Sequence, residues 1–157
     1  MRKQIVRESP PEERPGGGRW LDLERHARVE ITSEDPDHPI ESALVPGGGD
    51  GWRASEPGEQ RIRLLFDEPR TLQRVHLVVE EREAQRTQEL SLSWLPAGGG
   101  TWQSLVRQQY TFSPPGTTRE VEEWAFDVRG AAALELSIVP DISRGEARAS
   151  LAALRLD

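Results

Sequence analysis

From Trp20 onward, apolar side chains recur at every second position, and a period of two is the signature of a strand with one buried face. Ile62, Leu64 and Phe66 alternate with Arg61, Arg63 and Leu65; beyond residues 67–71, Val75, Leu77 and Val79 alternate with His76 and Val78. The two runs read as an antiparallel pair joined by a turn at Pro69. The same period marks Ala27, Val29 and Ile31; Leu90, Leu92 and Trp94; and Val106, Gln108, Tyr110 and Phe112. It returns at Trp124, Phe126 and Val128, at Leu134, Leu136 and Ile138, and at Ala152, Leu154 and Leu156. Eight such segments, separated by turn residues, predict an all-β fold: an eight-stranded antiparallel β-sandwich, or jelly roll. Only residues 40–45 have the pattern of a helical turn.

A chain of 157 residues suffices for one domain with a real core, burying roughly two-thirds of its unfolded surface. Residues 1–18 stand apart in composition, with Ser9-Pro10-Pro11, Pro15 and three consecutive glycines. They read as a mobile arm or tether, and residues 19–157 as the sandwich domain; the alternative has Ile5 and Val6 pairing as an edge strand. With 20 basic against 27 acidic side chains, the net charge of −7 repels a phosphate backbone and argues against nucleic acid. Cysteine is absent, which removes disulfides and thiolate metal sites. The opening residues lack an apolar stretch of signal-peptide length, so the expected location is cytoplasmic. No apolar run approaches the roughly 20 residues of a membrane helix, and no membrane partner is expected.

The order W-x-A, then Q-x-I-x-L-x-F-x-x-P-x-x-L-x-x-V, falls at Trp52, Ala54, Gln60, Ile62, Leu64, Phe66, Pro69, Leu72 and Val75. This resembles the discoidin or coagulation-factor C-type domains, a branch of the galactose-binding-like sandwiches. Leu136-Ser137-Ile138-Val139-Pro140 and the closing run from Ala149 to Leu156 are similar to that family's last two strands. The resemblance covers residues 20–157 and implies the fold more sharply than the ligand, since such folds carry sugar, lipid-headgroup, peptide and protein binding alike. The chain departs from the family in two places. The cysteine pair that staples many extracellular members is missing, and the carboxylate near the last strand that helps hold a structural calcium is not evident in residues 150–156.

If successive strands run antiparallel, the connections 34–51, 80–87, 113–118 and 141–148 share one rim, and 67–71, 96–101 and 129–131 share the other. The first group is longer and more polar, and binding chemistry concentrates on long loops over a rigid scaffold. Arg86 and Gln88 open the fourth strand, and Arg107, Gln109 and Tyr110 lie in the fifth. They offer fork-like donors and amides for sugar hydroxyls or a carboxylate. Tyr110, Trp52 or Trp124 offers a ring for a pyranose to stack upon, and His38, Arg53, Asp141 and Ser143 complete the candidate ligand set. The structural alternative places Gln108 and Tyr110 inside and pairs Arg86 and Arg107 with Glu89 or Glu122; Trp52 is then a plug beneath the rim loops.

The acidic loop around Glu34, Asp35, Asp37 and Glu41 has oxygens for a structural calcium, but its prolines at 36 and 39 equally shape a solvated turn, and no cofactor is expected. His26 and His76 fall in expected strands, too dispersed for a metal triad with His38. The sequence has no phosphate-binding glycine loop, no G-x-S-x-G elbow and no cysteine nucleophile, so no catalysis is expected. Glu120 and Glu122 read as a solvated strand edge. The leading expectation is a non-catalytic binding module that takes carbohydrate at the polar rim. The alternative is a protein-interaction or assembly subunit, including a homo-oligomer, that uses a sheet face and the arm.

Overall fold

The computed structural model describes residues 20–157. The expected arm, with its alternative edge strand at Ile5 and Val6, lies outside the described residues. Eight strands and two single-turn helices follow in the order α1 (Leu23–His26), β1 (Ala27–Ile31), α2 (Glu41–Leu44), β2 (Trp52–Arg53), β3 (Gln60–Glu80), β4 (Arg86–Pro96), β5 (Gln103–Phe112), β6 (Arg119–Val139), β7 (Ser150–Leu151) and β8 (Ala153–Leu156). All pairings are antiparallel. Helix α2 falls where a helical turn was expected, whereas α1, capped by Asp22, was not foreseen; it takes His26 out of the expected strand.

β3 and β6, each 21 residues long, run through both layers of the sandwich. Residues 62–66 of β3 pair with β1 and residues 60–65 with residues 133–138 of β6, which in turn pair with β4, and β4 with β5. The second layer is built from residues 72–80 of β3, residues 119–128 of β6, and β8. The expected hairpin between 62–66 and 75–79 therefore does not form. Ile62 faces Leu136 and Val75 faces Trp124, so both runs pair with β6 rather than with each other. Residues 67–71 instead carry the chain from one layer to the other, and the ladder loses register between Leu65 and Arg74. Pro69, which has no amide to donate, sits in that passage, and Gly130 at φ 72° serves the matching corner of β6.

Alternation still decides what is buried. Ile62, Leu64, Leu90, Leu92, Leu134, Leu136 and Ile138 from one layer meet Leu72, Val75, Leu77, Val79, Leu154 and Leu156 from the other in one continuous core. Each such side chain contributes about 1.5–3 kcal/mol of apolar transfer. Hydrogen bonds also cross between layers, from Gln88 on β4 to Glu120 on β6 and from the Tyr110 hydroxyl on β5 to the Arg119 carbonyl. The corner at 67–71 lies beside that at 129–131 and the turn after Pro96, since Ala131 pairs with both Arg70 and Pro96. That end of the sandwich is plain, and the longer loops crowd the opposite end.

Candidate functional site

The rim is built on Trp52. Its neighbour Gly51 has φ 107°, and a Cβ there would stand 2.6 Å from the Leu151 carbonyl oxygen, so only glycine lets β2 lie against β7. Trp52 then turns inward, 1% exposed, and its Nε1 donates to the Ser33 carbonyl at 3.1 Å. The loop before it is laced to β2: the Asp35 amide donates to the Arg53 carbonyl at 2.8 Å, and the Arg53 amide to the His38 carbonyl at 3.2 Å. Its carboxylates shape the loop, Asp35 accepting from the Asp37 amide at 2.9 Å and Glu34 from the Ile40 amide at 2.8 Å. The Asp37 amide, aided by His38, holds Asp35 below the usual carboxylate range.

Arg86 braces the facing wall. Its side chain is 1% exposed, yet its Nε donates to Glu81 at 2.7 Å, its Nη1 to the Pro140 carbonyl at 2.7 Å and to Gln88 at 3.3 Å, and its guanidinium lies 4.9 Å from the Phe112 ring. One side chain thus ties the 80–86 loop to the start of the 140–148 loop. Burial works to raise the Glu81 carboxyl, but the bonds from Arg86 and from the Glu83 and Ala84 amides outweigh it and keep it low. Asp141 accepts from both the amide and the hydroxyl of Ser143, and the turn closes with Arg144 at φ 72° and Gly145 at φ 99°.

Between these walls opens a cleft of about 770 Å³. Of the sequence candidates, His38, Trp52, Arg53, Arg86 and Asp141 line it; Ser143 does not, and serves the turn behind it. The remaining four are elsewhere. Arg107 and Gln109 lie on the outer face of β5, and each donates to Glu89 at 3.0 Å, which keeps that carboxyl low. Gln88 is fully buried, and Tyr110 packs edge-on to Phe112 with centroids 5.0 Å apart. Period two separated these pairs onto opposite faces, so they cannot converge. Sequence reasoning passed over Arg82, Glu83, Glu146 and Arg148, which line the cleft together with Asp50. Their only signal was membership of rim loops; nothing in their spacing says which loop residues turn inward. Arg53, Arg148, Asp50, Glu83 and Glu146 make no ion pair with another described residue. A smaller cleft of about 450 Å³ lies behind the 141–147 turn, lined by Val139, Pro140, Ile142 and Arg144 among others. Among the described residues, no group of three or more histidine or carboxylate side chains is placed to hold a metal ion, and no helix is long and apolar enough to cross a membrane.

Glu120 and Glu122 are not the solvated edge expected of two acids on one strand. The inward phase of β6 includes both, and Glu120 is 1% exposed between the layers. Gln88 donates to Glu120 at 3.0 Å, and Gln108 donates to Glu122. Burial, reinforced by the hydrogen-bonded and like-charged Glu122 carboxyl, pushes Glu120 up to about 8.

No protein-family model matches the sequence, and no curated protein does. Solved structures do match. A family 32 carbohydrate-binding module from C. perfringens NanJ, determined in complex with galactose, superposes with a TM-score of 0.62 at 14% identity, over 87% of this chain and 96% of that one. The fold is the β-sandwich that these modules share. A second family 32 module from Clostridium perfringens, in complex with GalNAc-β-1,3-galactose, gives a TM-score of 0.60 at 16% identity, covering 87% of this chain and 98% of that one. A pectin-binding carbohydrate-binding module gives 0.59 at 17% identity, covering 85% and 91%. At these identities the likeness carries the discoidin-like architecture, and the cleft residues must be judged on their own chemistry.

Proposed function

We propose that this protein is a non-catalytic carbohydrate-binding module whose ligand enters the rim cleft. The observation that carries the reading is the cleft itself: about 770 Å³, large enough for a mono- or disaccharide, with guanidinium and carboxylate groups that have no ion pair among the described residues. Sugar hydroxyls both donate and accept. Carboxylates such as Asp50 and Glu83 accept from them, while the planar forks of Arg53 and Arg148 donate to vicinal oxygens. The sugar-bound structures of the similar modules from Clostridium perfringens support the ligand class. Trp52 is the plug that holds the loops, and His38, with its side chain 37% exposed, offers a ring on the cleft lining.

Glycan-array screening followed by calorimetry tests the proposal. Arg53→Ala and Arg148→Ala should each weaken the best glycan at least about tenfold, the value of one charge-assisted hydrogen bond, with melting unchanged. Absence of binding to every arrayed glycan by a folded protein rejects the reading. A stable oligomer in light scattering would then favour the assembly role instead.

A further inference from the structure

We propose that the sandwich edge next to the cleft is a proton-controlled seam: a proton on the Glu120–Glu122 pair keeps β5 closed on residues 119–124, and its loss slackens the Arg86 brace between the two cleft walls. The geometry is a relay of buried polar groups running from the seam to the rim. Glu120 accepts from Gln88, Gln88 accepts from Arg86 Nη1, and Arg86 in turn holds Glu81 of one cleft wall and the Pro140 carbonyl of the other. Two buried atoms on this relay have no partner among the described residues, Arg86 Nη2 and Glu120 Oε2, one on each side of Gln88.

Four strands place groups around Glu120. β4 presents Arg86 and Gln88, β5 presents Gln108 and Tyr110, β6 presents Glu122, and its register partner on β3 is the apolar Val79. Tyr110 spends its hydroxyl on the Arg119 carbonyl and offers Glu120 no proton. With one proton on the pair, the seam carries one negative charge rather than two, and the carboxyls do not repel each other. Once the proton leaves, two carboxylates face each other between the layers, and the new charge reaches Arg86 through Gln88. A guanidinium drawn toward Glu120 is drawn away from Pro140 and Glu81, so the two walls lose their common tether. Burial places the proton's departure at about pH 8, within reach of ordinary buffers.

The test needs no sugar, so it fails or succeeds independently of the carbohydrate reading. ¹³C-carboxyl NMR of the ligand-free chain should show one glutamate titrating near pH 8. Between pH 7 and 9, hydrogen-exchange protection of β5 and residues 119–124 should fall at least about tenfold beyond the intrinsic base-catalysed rise, and the amide shifts of residues 140–148 should move with the same midpoint. Glu120→Gln, a neutral isostere of the protonated side chain, should flatten both profiles. If that variant does not fold, Glu122→Gln should lower the titration midpoint of Glu120 by removing its like-charged neighbour. The proposal is overturned if every wild-type carboxyl titrates below pH 6, if protection stays constant through pH 9, or if the 140–148 shifts ignore the titration.

Discussion

Replacing Trp52 with alanine separates its two readings, plug and ligand platform. The indole is 1% exposed, and a tryptophan brings roughly 200 Å² under cover, which at about 25 cal/mol per Å² is about 5 kcal/mol of transfer. Partial collapse of the void returns some of that, while the Ser33 carbonyl loses its donor, so Trp52→Ala should cost about 4 kcal/mol. In a domain of this size about 3 °C accompanies each kcal/mol, so melting should fall by roughly 12 °C. Trp52→Phe keeps most of the volume and loses the Nε1 bond; it should cost about 2 kcal/mol. The assay is urea unfolding followed by far-ultraviolet circular dichroism, with the dependence on urea unchanged between variants so that the midpoints report stability. A Trp52→Ala protein that melts within about 2 °C of wild type would refute the packing argument and return the indole to the ligand surface.

Arg86→Met should cost about 3–5 kcal/mol, because it strands the Glu81 carboxylate and the Pro140 carbonyl; adding Glu81→Gln should recover at least about 1 kcal/mol in a double-mutant cycle, and strict additivity would count against the brace. Glu120 gives stability a pH dependence whose sign follows from its raised value. Between the ordinary glutamate value of 4.5 and about 8 the folded chain holds a proton that the unfolded chain has released, so stability falls as pH rises, and the dependence ends above that window. The slope should approach about 1.4 kcal/mol per pH unit, and Glu120→Gln should lose it; urea midpoints at pH 5, 6, 7 and 8 measure this, and a flat wild-type series excludes a buried protonated carboxyl.

Trp52 and Arg86 also show how far the sequence reaches. Both were legible as rim residues, because loop length and polarity set one end of a β scaffold apart, and connections 34–51, 80–87 and 141–148 do meet there. Arg107, Gln109 and Tyr110 were legible as strand residues but misleading as ligand groups. A hydrogen-bonding side chain looks the same in sequence whether its partner is a sugar or Glu89. Glu120 was misread for the opposite reason: carboxylates are so rarely buried that a same-strand pair reads as solvated, although alternation with Trp124, Phe126 and Val128 fixes the same phase inward.

By itself, the sequence determined the class of fold, the strand phases and most of the core, because a period of two is a local property that fixes which side chains share a face. The position of Pro69 marked a break but not its meaning. Only the tertiary structure decided that 62–66 and 75–79 pair with β6 in different layers rather than with each other, since alternation is silent about which strand supplies the hydrogen bonds. It also decided which loop residues line the cleft and that Glu120 lies between the layers, where burial by residues far apart along the chain, added to the charge of its strand neighbour Glu122, governs whether it keeps its proton.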